Sequence, residues 1–190
     1  MAGEFLHRPR NRPLRVRKSS PDQTSDGYVH RFEQIIEEFG PALARTVASY
    51  ERNAAAQQDL LQEIRLALFR SFPQLKEPVK LRAFVFRVAH NCCVDHVVRH
   101  AGKSVALQDS AELQADDCTP EHELLAKERT RRLVEAVRRL ELPYRQVITL
   151  LLEDMRYVEI AESLGISVGN VGVRVNRAKA RLKELLDHER

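Results

Sequence analysis

The sequence predicts an all-α protein of two small helical domains joined by a flexible linker. Apolar residues recur every three to four positions in several segments, as along one face of an amphipathic helix. No segment alternates polar and apolar residues for long enough to predict a strand. The periodic segments are separated by a weakly periodic stretch with five acidic residues and one basic residue. We therefore predict a tail at 1–27, a domain at 28–101, a linker at 102–121 and a second domain at 122–190.

The bulk composition indicates a soluble protein without catalytic machinery. Lys and Arg total 31 against 27 for Asp and Glu, and the net charge of +4 is compatible with a polyanionic partner. No apolar run approaches the roughly 20 residues that cross a bilayer, and no signal peptide is evident, so we expect a cytoplasmic protein without membrane insertion. The sequence shows no glycine-rich phosphate loop and no nucleophile elbow, so we expect neither an enzyme nor a cofactor.

The N-terminal part is predicted to be a disordered basic tail followed by helices. Residues 1–27 hold six basic residues among prolines and serines and lack apolar periodicity. Helical periodicity begins at Phe32, and Gly40-Pro41 is expected to interrupt it before a second helix that reaches about Tyr50.

Two further helices complete the first predicted domain. One is expected to open at Asp59 and to end at Pro73, with an apolar stripe of Leu60, Leu61, Ile64, Leu68 and Phe72. The other is expected to run from about Leu81 to His100. Its polar side chains recur every four residues and form a ridge of Arg87, Asn91, Asp95 and Arg99.

The second predicted domain ends in a helix-turn-helix between Tyr157 and Lys179. Ala161 is small where two helices cross closely, and Gly165 permits a left-handed turn. Ser167 can cap the second helix, whose Val175 is expected to be buried with Val171. The pattern therefore predicts a compact helix pair after two longer helices.

The exposed face of that second helix carries side chains that suit DNA. Asparagine can pair with adenine edges, valine can meet a thymine methyl group, and Arg or Lys can contact guanine or phosphate. The candidate DNA-binding residues are Ser167, Asn170, Val173, Arg174, Asn176, Arg177, Lys179 and Arg181. The alternative is a helical hairpin with a solvated basic face.

Residues 28–187 resemble the extracytoplasmic-function sigma factors, a branch of the sigma-70 family that contains only its second and fourth conserved regions. DLLQEIRLALFRSF resembles the family's polymerase-binding helix, and LRAFVFRVAHNCCVDHVVRH resembles its helix for promoter melting and −10 recognition. The segment from Leu142 to Leu182 resembles the domain that reads the −35 element. Three such motifs in this order are more specific than a lone helix-turn-helix.

The resemblance implies partners and contact residues. The partners would be promoter DNA and core RNA polymerase, through its β′ clamp helices and β flap. An anti-sigma factor or another signal would control the protein. The residues that would dock on the polymerase are Asp59, Leu60, Leu61, Gln62, Glu63 and Ile64. Those that would contact the −10 element are Arg87, His90, Asn91 and Arg99, whereas Asp95 is expected to pair with Arg99.

Two other functions stay open on the sequence alone. A transcriptional regulator could carry the same helix-turn-helix and bind promoters without polymerase. A metal or redox sensor, or a metal-dependent enzyme, could use Cys92, His96 and His100, which stand four residues apart, with Cys93 and His90 nearby. We predict that the cysteines are structural and that no metal is bound, since free cysteine commonly packs as a small apolar side chain.

Overall fold

The computed structural model describes residues 25–74, 80–100 and 121–188. These ranges contain seven α-helices, one 3-10 helix at Phe72–Gln74 and no strand, so the predicted all-α class is confirmed. The helices are α1 (Ser25–Ala48), α2 (Ala54–Ser71), α3 (Leu81–His100), α4 (Glu121–Arg139), α5 (Leu142–Leu152), α6 (Tyr157–Leu164) and α7 (Val168–Asp187). Most of the predicted tail and of the predicted linker lies outside the described residues.

Helices α1, α2 and α3 form a bundle around an apolar core. Each contributes a stripe at helical spacing. The buried apolar residues include Ile35, Phe39, Leu43 and Val47 of α1, Leu60, Ile64 and Leu68 of α2, and Val85, Phe86, Ala89 and Cys93 of α3. The rings of Phe39 and Phe86 meet edge to face with centroids 6.3 Å apart, a favoured aromatic geometry.

The predicted interruption at Gly40-Pro41 is wrong, because α1 continues through Pro41. Proline inside a helix removes one hydrogen bond and costs about 3 kcal/mol. The same apolar stripe continues on both sides of it, with Phe39 and Leu43 both buried in the bundle core. Burial of each such side chain stabilises by about 1.5–3 kcal/mol, so packing outweighs the local preference.

The predicted start of the next helix at Asp59 is also wrong. Helix α2 begins at Ala54, and Asn53 is its N-cap, with its side chain accepting a hydrogen bond from the Ala56 amide at 3.0 Å. Asparagine is among the best N-cap residues, and the alanines that follow are the strongest helix formers. The apolar stripe starts one turn later than the helix, which explains the error.

Helices α4 to α7 form the second bundle. Pro143 lies in the first turn of α5, where proline is tolerated because its missing amide would have no partner there. The core is lined by side chains from all four helices. The buried members include Ala136 and Val137 of α4, Val147, Ile148 and Leu150 of α5, Ile160 and Ala161 of α6, and Val171, Val175, Ala178 and Leu182 of α7.

The turn of the helix-turn-helix has the predicted geometry. Gly165 ends α6 in the left-handed region at φ 66°, which glycine adopts without steric cost. Ser167 then caps α7, and its hydroxyl accepts a hydrogen bond from the Asn170 amide at 3.2 Å. These two residues fix the angle between α6 and the exposed face of α7.

The two bundles are in contact with each other. Helix α3 packs against both α5 and α6, and the buried residues of the two bundles form one continuous apolar cluster. The exposed face of α7 and the polar ridge of α3 are therefore held in a fixed relative position.

Candidate nucleic-acid and polymerase interface

Helix α7 presents a mixed polar and apolar face to solvent. Its buried stripe of Val171, Val175, Ala178 and Leu182 turns the opposite side outward. Six predicted DNA-binding residues of the helix, Asn170, Val173, Asn176, Arg177, Lys179 and Arg181, are exposed, whereas Arg174 is half-buried at the edge of the face. Asn170, Val173 and Arg177 stand at i, i+3 and i+7 and so line one side of the helix.

Val173 is the apolar centre of this face. The residue is 50% exposed. Arg181, by contrast, is already paired: its Nη1 donates to Glu184 Oε2 at 2.8 Å within α7. Exposed pairs of this kind contribute at most about 1 kcal/mol, so the guanidinium can exchange the carboxylate for a phosphate.

The polar ridge of α3 is exposed as predicted, with Arg87, Asn91, Asp95 and Arg99 on the surface. The expected side-chain pair between Asp95 and Arg99 is replaced by other contacts. Arg99 Nη2 donates to Glu63 Oε2 at 2.8 Å, and Arg99 Nε donates to the main-chain oxygen of Asp95 at 3.3 Å. The contact with Glu63 of α2 joins Arg99, a predicted −10 residue, to a predicted polymerase-binding residue.

His90 does not belong to this exposed ridge. It is 1% exposed, and its Nδ1 shares a hydrogen bond with the Tyr50 hydroxyl at 2.8 Å. Burial lowers the pKa of the His90 imidazole to about 3, and its Nε2 is a buried atom without a partner in the structure. In this arrangement His90 is a neutral core residue, and a contact with DNA would require it to be uncovered.

The predicted polymerase-binding residues lie on two different faces of α2, one exposed and one buried. Asp59, Gln62 and Glu63 are exposed, whereas Leu60 and Ile64 are buried in the bundle and Leu61 is half-buried. Leu60 and Ile64 pack in the core of the domain. They are therefore not available to contact a partner while the domain is folded.

Sequence reasoning missed two apolar residues on the exposed side of α2. Leu66 is 54% exposed and Phe69 is 41% exposed. With Asp59 and Gln62 they stand at i, i+3, i+7 and i+10, which places all four on one face. The sequence did indicate that both residues are exposed, since neither falls on the apolar stripe of Leu60, Ile64 and Leu68. A face that mixes exposed apolar and polar groups is typical of a protein-binding surface.

The cysteine and histidine cluster is occupied by internal contacts. His96 Nε2 lies 2.8 Å from Glu51 Oε2, and the rings of His96 and His100 contact each other at a tilt of 32° with centroids 4.3 Å apart. Burial and the nearby Asp95 carboxylate raise the pKa of Cys92 to about 11, and burial raises that of Cys93 further. Among residues 25–74, 80–100 and 121–188, no three His, Cys, Asp or Glu side chains are grouped to hold a metal ion. Nor does any described helix have the length and apolar character to cross a membrane.

Two family models match the chain and together cover more than half of it. The model of Sigma-70 region 2 matches residues 35–102, which include the α2 face and the α3 ridge. The model of Sigma-70, region 4 matches residues 130–182, which include the helix-turn-helix.

Similar proteins of known class span almost the same length. The chain is 28% identical over 169 residues to the RNA polymerase sigma factor NccH of Alcaligenes xylosoxydans xylosoxydans, which covers 86% of this chain and 91% of that protein. It is 28% identical over 174 residues to the RNA polymerase sigma factor CnrH of Cupriavidus metallidurans, covering 87% and 91%. It is 21% identical to the ECF RNA polymerase sigma factor SigW of Bacillus subtilis, covering 86% and 93%.

Two solved structures share the fold. CnrH, seen in complex with the cytosolic domain of CnrY, superposes with a TM-score of 0.64 at 24% identity and covers 87% of this chain and 93% of that chain. The sigma factor RpoE of Bartonella quintana, in complex with the anti-sigma factor NepR, superposes with a TM-score of 0.65 at 22% identity and covers 84% and 99%. The chain therefore belongs to the sigma-70 family as an extracytoplasmic-function RNA polymerase sigma factor, a non-catalytic protein of promoter-specific transcription initiation.

Proposed function

We propose that α7 reads the −35 element, that the α3 ridge binds the −10 element, and that the exposed face of α2 docks on core RNA polymerase. The assignment treats residues 28–101 as region 2 and residues 122–190 as region 4, and places the protein in the cytoplasm with the polymerase. The observation that carries it is the exposed face of α7, which the cap at Ser167 and the turn at Gly165 hold outward.

The −35 assignment is supported by the geometry of α7. Asn170, Val173 and Arg177 lie along one side of a helix whose diameter fits the major groove of duplex DNA. Lys179 lies about half a turn beyond Arg177 and Arg181 about one turn beyond it, and both could contact phosphates. Base contacts would give specificity, and the phosphate contacts would fix the register of the helix.

The −10 assignment rests on fewer groups than the sequence suggested. Arg87, Asn91 and Arg99 are exposed on α3, and His90 is excluded while it stays buried. Arg99 is held by Glu63, so strand binding would compete with that ion pair. A basic ridge with an amide among its members suits the backbone and bases of a displaced single strand.

The polymerase assignment is supported by the face that Asp59, Gln62, Leu66 and Phe69 share. Exposed apolar side chains are costly to leave in water, and a partner that covers Leu66 and Phe69 would remove that cost. We further propose that an anti-sigma factor controls the protein. One similar structure is a complex of the sigma factor RpoE with the anti-sigma factor NepR, and the other is a complex of CnrH with the cytosolic domain of CnrY.

The test is run-off transcription with sigma-free core polymerase on a library of candidate promoters. We expect discrete start sites that depend on this protein, that disappear with Asp59→Ala plus Gln62→Ala, and that persist with Glu33→Ala plus Gln34→Ala, a matched exposed pair on α1. With Arg177→Ala we expect weaker transcription and a salt slope of promoter binding that falls by about one. Tight promoter binding without any dependence on core polymerase would overturn the proposal in favour of a conventional regulator.

A further inference from the structure

One ion pair on the surface of the first bundle joins helix α2 to helix α3. Arg99 Nη2 donates to Glu63 Oε2 at 2.8 Å, although the two residues are 36 positions apart. Arg99 Nε also donates to the Asp95 main-chain oxygen at 3.3 Å, so the guanidinium is held at two points. The paired side chains are each about half exposed, Arg99 at 53% and Glu63 at 49%. A partner can therefore reach either charge while the pair is formed.

The two members of this pair belong to two different proposed binding surfaces. Glu63 is one of the exposed residues of α2 that we assign to core polymerase, together with Gln62. Arg99 is one of the exposed residues of α3 that we assign to the −10 strand, together with Asn91. The ion pair is therefore a direct physical connection between the two surfaces. A change at one surface can reach the other without the movement of a helix.

Each charge of the pair weakens the other's attraction to an external partner. The Glu63 carboxylate neutralises the Arg99 guanidinium and repels a phosphate that approaches the same cation. The guanidinium in turn neutralises the carboxylate and weakens its attraction to a cation of the polymerase. A polymerase group that binds Glu63 would leave Arg99 with its full positive charge. A phosphate that binds Arg99 would likewise leave Glu63 with its full negative charge.

We propose that the ion pair of Arg99 with Glu63 couples the two surfaces, so that polymerase docking on Glu63 releases Arg99 for the −10 strand. The inference rests on the proposed function and adds a route by which one binding event strengthens the other. The coupling is reciprocal, because the strand must raise the affinity for polymerase by the same factor. An exposed ion pair changes an equilibrium constant by at most about fivefold, which sets the size of the effect.

The first arm of the test measures strand binding by the full chain without polymerase. The probe is a fluorescent single-stranded oligonucleotide with the −10 sequence mapped by run-off transcription, and its Kd is measured by anisotropy. We expect Glu63→Gln to lower this Kd by about three- to fivefold, because Arg99 is released. Glu33→Gln is the control, since Glu33 is exposed on α1 and its replacement changes the net charge equally. In an Arg99→Ala background, Glu63→Gln should give no more gain than Glu33→Gln.

The second arm measures polymerase binding without DNA. We expect Arg99→Ala to lower the apparent Kd for core polymerase by a similar factor, because Glu63 is then free to pair with the partner. In a Glu63→Gln background the same substitution should have no effect. The factors in the two arms should agree, because each substitution removes the same ion pair. This arm decides the inference alone if the wild type binds the strand too weakly to measure, and an Arg99→Ala Kd equal to that of the wild type would overturn it.

In the strand arm, two results would overturn the inference. One is a Glu63→Gln protein that binds the strand no more tightly than Glu33→Gln. The other is weaker strand binding by Glu63→Gln, which would mean that Glu63 positions Arg99 for the strand instead of competing for it.

A failure of the proposed function itself would look different. Strand binding that Arg87→Ala plus Arg99→Ala leaves unchanged would remove the −10 assignment. Polymerase binding that Asp59→Ala plus Gln62→Ala leaves unchanged would remove the docking assignment. If both double variants are impaired as expected, the results for Glu63→Gln and Arg99→Ala test the coupling alone.

Discussion

Replacement of His90 tests the burial that removes this residue from the predicted DNA surface. The folded protein keeps the imidazole neutral, because burial lowers its pKa to about 3, whereas in the unfolded chain the pKa is about 6.5. Below pH 6.5 the unfolded state therefore binds one more proton than the folded state, and the free energy of unfolding falls as the pH falls from 6.5 towards 3. Above pH 6.5 this contribution is constant.

The expected size follows from the same values. At pH 5, which is about 1.5 units below the pKa of the unfolded imidazole, protonation of the unfolded state lowers the free energy of unfolding by about 2 kcal/mol. We expect wild-type protein to lose about 2 kcal/mol more than His90→Gln between pH 7 and pH 5, measured by urea unfolding followed by circular dichroism. Other histidines are present in both proteins and cancel in the comparison.

His30→Gln is the matched control, because His30 is exposed on α1. It should keep the full wild-type pH dependence. If wild type and His90→Gln lost the same free energy between pH 7 and pH 5, His90 would not be buried in the neutral form, and it would return to the set of candidate DNA contacts.

Three further predictions concern the helix-turn-helix, a cap and the thiols. Gly165→Ala should destabilise the protein by about 1 kcal/mol because of its positive φ. Gly172→Ala, inside α7, should stabilise it by up to about 1 kcal/mol in the same urea titration, because the added Cβ would lie 3.8 Å from Tyr157 Cε2, an ordinary contact distance. Asn53→Ala should cost about 1 kcal/mol through loss of the α2 cap, without any change in unfolding slope. In Cys118→Ser protein, the two remaining thiols should react with a disulfide reagent at pH 7.5 far more slowly than in urea, and rapid reaction in the folded state would revive the redox-sensor hypothesis.

The sequence allowed the helices to be predicted wherever local chemistry and packing agree. The turn at Gly165 and the cap at Ser167 depend on residues within one helical turn, so their types alone predict the geometry. Pro41 shows the limit of that reasoning, because its local preference was overruled by apolar residues that pack on both sides of it. The predicted start of α2 was wrong for a related reason. Its N-cap, Asn53, begins the helix before the apolar stripe begins.

The position of His90 could have been predicted from periodicity. It stands four residues after Phe86 and three before Cys93, and both are buried in the α3 stripe. Resemblance to a family position gave it a DNA-binding role instead. Leu66 and Phe69 are the converse case, since their places off the apolar stripe of α2 indicated exposure before any partner was considered.

No local pattern could predict that Arg45 meets Glu153, since the two residues are 108 positions apart. Each is charged and therefore expected on a surface, and periodicity assigns a side chain to a face without saying which faces meet. The same holds for the ion pairs that join Arg52 to Glu135 and Lys80 to Glu162. Contacts between domains are set by the joint shape and charge of two surfaces, which only the folded chain brings together.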